Sequence, residues 1–174
     1  ILQSSKGLPS YLRKRRRCHV SDCPNHTVGR VTPFKTRGII AMAGTFGYEL
    51  DVTKIPEEDR DMIASQVETY KKYCPLIQSG DYYRIASYQN NHYFDCYEIV
   101  SKDKKEAIFV FVQVIAQPNM HSIRVKLKGL DNEAKYKING TVYDADALMN
   151  GGFIIKRPWG DFQAELFHIE KIND

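Results

Sequence analysis

Two spacings of apolar residues divide the chain near Cys74. Before it the spacing is helical. From Thr32 to Met42 the residues Phe34, Ile39, Ile40 and Met42 fit a short helix with Pro33 in its first turn and Gly44 beyond its end. Thr45 to Leu50 alternates and is rich in β-formers, which predicts a strand. Pro56 to Tyr73 predicts the longest helix: acidic Glu57, Glu58 and Asp59 at its start, Lys71 and Lys72 at its end, and Cys74-Pro75 as the stop. Ile63, Val67 and Tyr70 give it an apolar stripe. After Pro75 the period becomes two. Seven segments, Tyr82 to Ala86, Tyr93 to Val100, Glu106 to Ile115, Ser122 to Leu127, Ala134 to Ile138, Phe153 to Ile155 and Phe162 to Glu170, read as short strands separated by turn-forming residues. Strands so spaced, with no helices between them, predict an antiparallel β-sandwich. Asn139-Gly140 is the strongest hairpin signal. The expected organisation is an arm over 1–17, a β/α portion over 18–75 and the sandwich over 76–174.

Composition adds limits. With 43% apolar and 26% charged residues in 174, the chain can bury a core and is neither disordered nor collagen-like. Its longest apolar run, Ala107 to Ala116, is broken by Gln113 and is shorter than the roughly 20 residues of a membrane-spanning helix. No membrane association is expected. Four irregularly spaced cysteines argue for a reducing compartment. The first twenty residues also lack a secretory pattern, so a cytoplasmic location is expected. The positive charges of Arg13-Lys14-Arg15-Arg16-Arg17 exceed the whole surplus of +4, so the basicity belongs to an arm and the rest is near neutral.

The densest polar stretch runs from His19 to Arg30 and contains Ser21, Asp22, Pro24, Asn25 and His26. Asp22 has two readings there: an acid/base carboxylate among hydrogen-bonding neighbours, or a carboxylate capping the turn before Pro24. Cys18, His19, Cys23 and His26 are metal-capable side chains, but their spacing matches no zinc module, so neither a metal nor a cofactor is expected. The basic arm lacks the aromatic interleaving and recognition element of a nucleic-acid binder, and no nucleic-acid partner is expected. The aromatics after Tyr82 admit sugar stacking or core packing. The unbroken run Ile108 to Val112 favours a strand buried on both faces. Pro158-Trp159-Gly160-Asp161 reads as a surface turn facing the β/α portion.

Four long stretches carry a resemblance. They are His19-Val20-Ser21-Asp22-Cys23-Pro24-Asn25-His26 through Gly29-Arg30-Val31-Thr32-Pro33, then Thr36-Arg37-Gly38 with Gly44 to Asp51, then Tyr70 to Asp81, and last Leu148 to Gly152 with Trp159-Gly160-Asp161-Phe162. Together they resemble the C-terminal end of α-galactosidases of glycoside hydrolase family 36. The resemblance implies an α+β fragment: the last β/α part of a (β/α)8 barrel, then a C-terminal antiparallel β-sandwich. It implies a retaining enzyme acting on α-galactoside oligosaccharides such as melibiose and raffinose, bacterial, and a homo-oligomer when complete. Asp22 matches the acid/base aspartate, with Ser21, Pro24, Asn25, His26 and Arg30 as its supporting loop. The family's nucleophile sits in a Lys-Trp-Asp motif, whereas the sole tryptophan here is Trp159. Inactivity of the isolated chain is therefore expected. The rival is a non-catalytic sandwich that binds sugar or completes an enzyme supplied by another chain.

Overall fold

The computed structural model describes residues 17–119 and 122–172; the Arg13 to Arg16 stretch of the arm lies outside them. The chain begins with strand β1 (Arg17–Ser21), helix α1 (Phe34–Ala41), strand β2 (Thr45–Glu49) and helix α2 (Glu57–Ser79). β1 and β2 pair in parallel, Arg17 opposite Thr45 and Ser21 opposite Glu49. β1–α1–β2 is thus one βαβ unit. Val20, Phe34 and Ala41 are buried together, with Cys18, Phe46, Tyr48 and Ile63 packed around them. By strand alternation His19, Ser21, Gly47 and Glu49 share the opposite face. Arg17 belongs to β1, not to an arm. The strand escaped the sequence pattern because Val20 is its one fully buried residue and because its partner lies far along the chain.

Helix α2 corrects another expectation: it does not stop at Cys74-Pro75 but runs through Pro75 to Ser79. A proline inside a helix costs about 3 kcal/mol. Continuing the helix buries Leu76 and Ile77 at 5% and 2% exposure, and each such side chain returns about 1.5–3 kcal/mol. Pro75 itself is exposed, and the Ser79 hydroxyl donates to its carbonyl at 2.6 Å.

Beyond the helix come β3 (Asp81–Ala86), a one-turn helix α3 (Tyr88–Asn91), β4 (Phe94–Val100), β5 (Glu106–Gln113), β6 (Ser122–Val125), β7 (Lys135–Ile138), β8 (Thr141–Asp144), a π-type turn (Ala147–Gly152), β9 (Phe153–Lys156) and β10 (Gln163–Lys171). Six strands form one sheet in the order β3-β4-β5-β10-β7-β8, and β6-β9 form a second. The pairs within both sheets are antiparallel. The sandwich is thus asymmetric, two strands over six. Three elements fall outside the sequence pattern. α3 occupies Gln89-Asn90-Asn91, capped by the Ser87 hydroxyl. β8 was implied only by the Asn139-Gly140 turn, whose φ values of +50° and +84° fit a two-residue hairpin. The third is the π-type turn.

Strands β4 and β5 of the large sheet are dry on both faces. Ala107, Phe109 and Phe111 of β5 point toward β6-β9 and pack with Phe153, Ile155 and Phe167. Ile108, Val110 and Val112 point the other way, against Ile39 of α1, Met42 just past its end, and Tyr73, Leu76 and Ile77 of α2. The βαβ unit and the sandwich therefore share a core. Buried Thr36 of α1 adds one polar link, its Oγ1 accepting from the Ala164 amide at 3.0 Å.

Candidate active-site loop

β1 hands the chain at Ser21 to a loop over 22–33, at the strand's C-terminal end. In (β/α)8 barrels this end carries the chemistry. The loop is organised from within and from below. Asn25 Oδ1 accepts the amides of Thr27 and Val28, both at 3.1 Å. The Asn25 amide donates to Arg30 O at 2.9 Å, and the Gly29 amide to Asn25 O at 2.8 Å. Gly29 has φ +63°, a conformation glycine adopts without the Cβ penalty. The Cys23-Pro24 bond is cis.

From below, Arg37 of α1 ties both ends of the loop. Its Nη1 donates to Ser21 O at 2.6 Å and its Nε to Thr32 O at 3.0 Å. Asp59 of α2 faces the same guanidinium at 3.6 Å, with both side chains largely buried, and the Phe34 ring lies 5.0 Å from it. Arg37 stood in the sequence only as part of a matching stretch. Its position one turn into α1, after Pro33, was the sole local sign of this role.

The predicted site residues divide into two groups. Asn25 shapes the loop, Ser21 anchors it through its carbonyl, and Arg30 both closes the Asn25 turn and stacks its guanidinium 5.5 Å from the Phe162 ring of the sandwich. Asp22, Pro24 and His26 are exposed, and no hydrogen bond among the described residues holds the Asp22 or His26 side chain. Turn-capping is therefore not what Asp22 does: Asn25 performs it. Below the loop, on the bare face of β1-β2, His19 Nε2 meets Glu49 Oε2 at 2.7 Å. Sequence reasoning missed this pair, which is visible only once β1 and β2 are put in register. Among the described residues no group of three His, Cys, Asp or Glu is placed to hold a metal ion, and no disulfide joins the four cysteines. No helix among the described residues is long and apolar enough to cross a membrane.

The buried carboxyl groups whose titration is shifted lie elsewhere, in the sandwich. Glu98 of β4 is fully buried, and burial pushes its carboxyl up to about 8. Its Oε2 accepts from the Lys128 amide at 2.8 Å, while Oε1 has no partner among the described residues. Asp95 is raised by burial too, against the opposing effects of the Tyr88 amide and Arg84.

A βαβ unit with a polar loop after its first strand, backed by a helix and an asymmetric sandwich, fits what the resemblance implies, the closing part of a (β/α)8 barrel followed by a β-sandwich. Comparison with known proteins gives the same assignment. Residues 11–80 match the Melibiase family and residues 94–169 the glycosyl hydrolase family 36 C-terminal domain. The chain is 40% identical over 157 residues to the α-galactosidase Mel36A of Lactobacillus acidophilus, covering 89% of this chain and 21% of that protein. It is likewise 40% identical over 156 residues to the α-galactosidase AgaA of Geobacillus stearothermophilus, covering 88% and 21%. A structure of an AgaA variant in complex with raffinose superposes with a TM-score of 0.84 at 39% identity, over 88% of this chain and 21% of that one. One in complex with stachyose gives 0.88 at 38%, over 92% and 22%. The chain belongs to glycoside hydrolase family 36, is similar to the C-terminal end of these α-galactosidases, and spans about a fifth of their length.

Proposed function

We propose that this chain contributes the closing strands of the barrel and the C-terminal sandwich to an α-galactosidase that hydrolyses terminal α-galactosyl groups of oligosaccharides such as melibiose and raffinose. In this reading Asp22 is the acid/base carboxylate. One observation carries it: the loop bearing Asp22 sits at the C-terminal end of a parallel strand and is clamped there by Arg37, in a chain 40% identical to an α-galactosidase. Retaining hydrolysis needs a second carboxylate as nucleophile, roughly 5–5.5 Å from the first. The Lys-Trp-Asp motif expected to bear it is absent from this sequence, so the isolated chain does not turn over substrate. A cytoplasmic bacterial homo-oligomer is the setting that goes with this reading.

The bareness of Asp22 favours a second reading, in which its carboxylate binds a sugar hydroxyl and another residue of the complete barrel donates the proton. A chimera separates the two: AgaA with its matching C-terminal fifth replaced by this chain. As acid/base, Asp22→Asn lowers kcat/KM for galactosides with poor leaving groups by about 10²–10⁴-fold and spares kcat/KM for activated aryl galactosides, which leave unprotonated, although release of the enzyme-bound galactosyl group slows for both. Equal losses of kcat/KM across leaving groups would rule out the acid/base role and leave hydroxyl binding. A folded chimera inactive toward every α-galactoside would overturn the hydrolase reading itself.

A further inference from the structure

Trp159 is the single tryptophan of the chain and is 87% exposed, on the turn between β9 and β10. A large ring left in water usually sits on a loose segment, but this turn is fixed residue by residue. Gln113, itself 2% exposed, donates through Nε2 to Pro158 O at 3.0 Å and Gly160 O at 2.6 Å, bracketing Trp159. Gly160 turns the chain at φ +88°. Asp161 Oδ1 accepts the Ala116 amide at 2.7 Å, and the Phe162 amide donates to Val114 O at 3.3 Å. Arg157 donates to Gln117 O at 2.7 Å, and its guanidinium carbon lies 5.9 Å from the centre of the indole. One face of the ring is thus propped by a tethered cation, and the other is open.

The turn also has a defined neighbour. Phe162, three residues beyond Trp159, is the ring on which Arg30 of the Asp22 loop rests. The contact with the β/α portion expected of the Trp159 turn is made by Phe162, just beyond it. Trp159 stands three residues before that contact, with its ring exposed.

We infer that Trp159 is a stacking platform for a sugar ring of the oligosaccharide beyond the galactosyl unit at the cleaved bond. The inference rests on the α-galactoside reading above, which supplies the ligand class. A pyranose presents an apolar C–H face that packs on a flat aromatic surface while its hydroxyls stay in water, and a pre-fixed ring loses little freedom when it is covered. On this inference the platform meets sugar units that galactose alone lacks and that raffinose and stachyose carry.

The lone tryptophan makes the test direct on the chain itself. Titration with raffinose and stachyose should give a saturable change in tryptophan emission, and sorbitol at equal concentration should not. In Trp159→Ala the saturation-transfer NMR signal of stachyose should disappear, with the circular dichroism of the fold retained, and Trp159→Phe should restore part of it. In the AgaA chimera, Trp159→Ala should raise the KM for stachyose about tenfold relative to that for p-nitrophenyl α-galactoside. The inference is overturned by an emission that does not respond up to 100-fold the concentration at which the chimera is half-saturated. It is also overturned by a KM ratio that Trp159→Ala does not move, or by emission already shifted to that of a buried indole at rising protein concentration without sugar, since a second copy then covers the ring. An active chimera with no sugar response sinks only this inference. A sugar response in the chain beside an inactive chimera sinks only the hydrolase reading.

Discussion

β1-β2 and the six-stranded sheet are built from similar residues, yet they meet their surroundings in opposite ways. The large sheet is covered by α1 and α2 on one face and by β6-β9 on the other, and its central strands β5 and β10 have neighbours on both sides. β1-β2 is covered on one face only. Among the described residues no third strand joins either outer edge, and the half-exposed His19-Glu49 pair sits on the open face. Parallel strands are ordinarily buried on both faces, and open edges invite pairing. The difference teaches which part folds on its own contacts and which is shaped for the rest of a barrel. It also puts the candidate catalytic loop on the less finished part.

The contrast is broken most strongly at the sandwich core. Phe109 is fully buried, its ring tilted against Phe167 at 5.8 Å and edge-on to Phe153 at 6.3 Å. Phe109→Ala should cost about 3–5 kcal/mol in urea unfolding. Because α1 and α2 rest on the other face of the same strand, the βαβ unit should unfold in the same transition. Two separate transitions would mean that the shared core does not couple the regions.

Hydrogen exchange sharpens the comparison without any substitution. The amides of β1 and β2 should exchange on the order of 100-fold faster than those of β5 and β10, about 3 kcal/mol less protection, because opening two strands with free edges exposes less apolar surface than opening the large sheet. Equal protection would show that the open edges carry no local instability.

How much of this could be read in advance follows from where the burial lies. All seven segments read as sandwich strands are found: β6, β7 and β9 alternate between core and surface, and β5 was legible from its unbroken run Ile108 to Val112, buried on both faces. β8 was not, because its residues are mostly exposed and only the Asn139-Gly140 turn betrayed it. β1 was not, because its strand character comes from pairing with β2. The end of α2 was misplaced because burial of Leu76 and Ile77 outweighs the penalty at Pro75. At the candidate site, the cluster of polar types around Asp22 was legible as a motif. The clamp by Arg37 and the His19-Glu49 pair were not, since both depend on strand and helix coming together.

Glu98 tests the sandwich by pH. In the fold its carboxyl stays protonated up to about 8, against an ordinary value of 4.5. The unfolded chain therefore loses this proton first as pH rises, and stability falls between about 4.5 and 8. Below that window the penalty is absent, and above it the loss is complete. The limiting slope is about 1.4 kcal/mol per pH unit. Relaxation around the buried group reduces it, so roughly 2 kcal/mol should be lost between pH 5.5 and 7.5. Glu98→Gln should flatten the profile over that range. A wild-type profile already flat there would mean that the carboxyl is solvated on ionisation.

The smallest effect bears most closely on how the two regions meet. Along β10 the pairing with β5 spans Gln163 to Glu170, but the pairing with β7 covers only Ile169 to Lys171. The Ala164 amide is thus buried where no neighbouring strand reaches it, and Thr36 Oγ1 of α1, 1% exposed, supplies the acceptor at 3.0 Å. A hydroxyl from the βαβ unit stands in for a strand of the sandwich. Thr36→Val keeps the shape and removes the acceptor, leaving a buried donor unmatched, and should cost about 1–2 kcal/mol. Thr36→Ser keeps the acceptor and should cost less than half of that. If the valine variant is as stable as wild type while the Ala164 amide exchanges no faster, the two regions are joined by apolar contact alone, and the registry between the candidate loop and the sandwich is set by Arg30 on Phe162 instead.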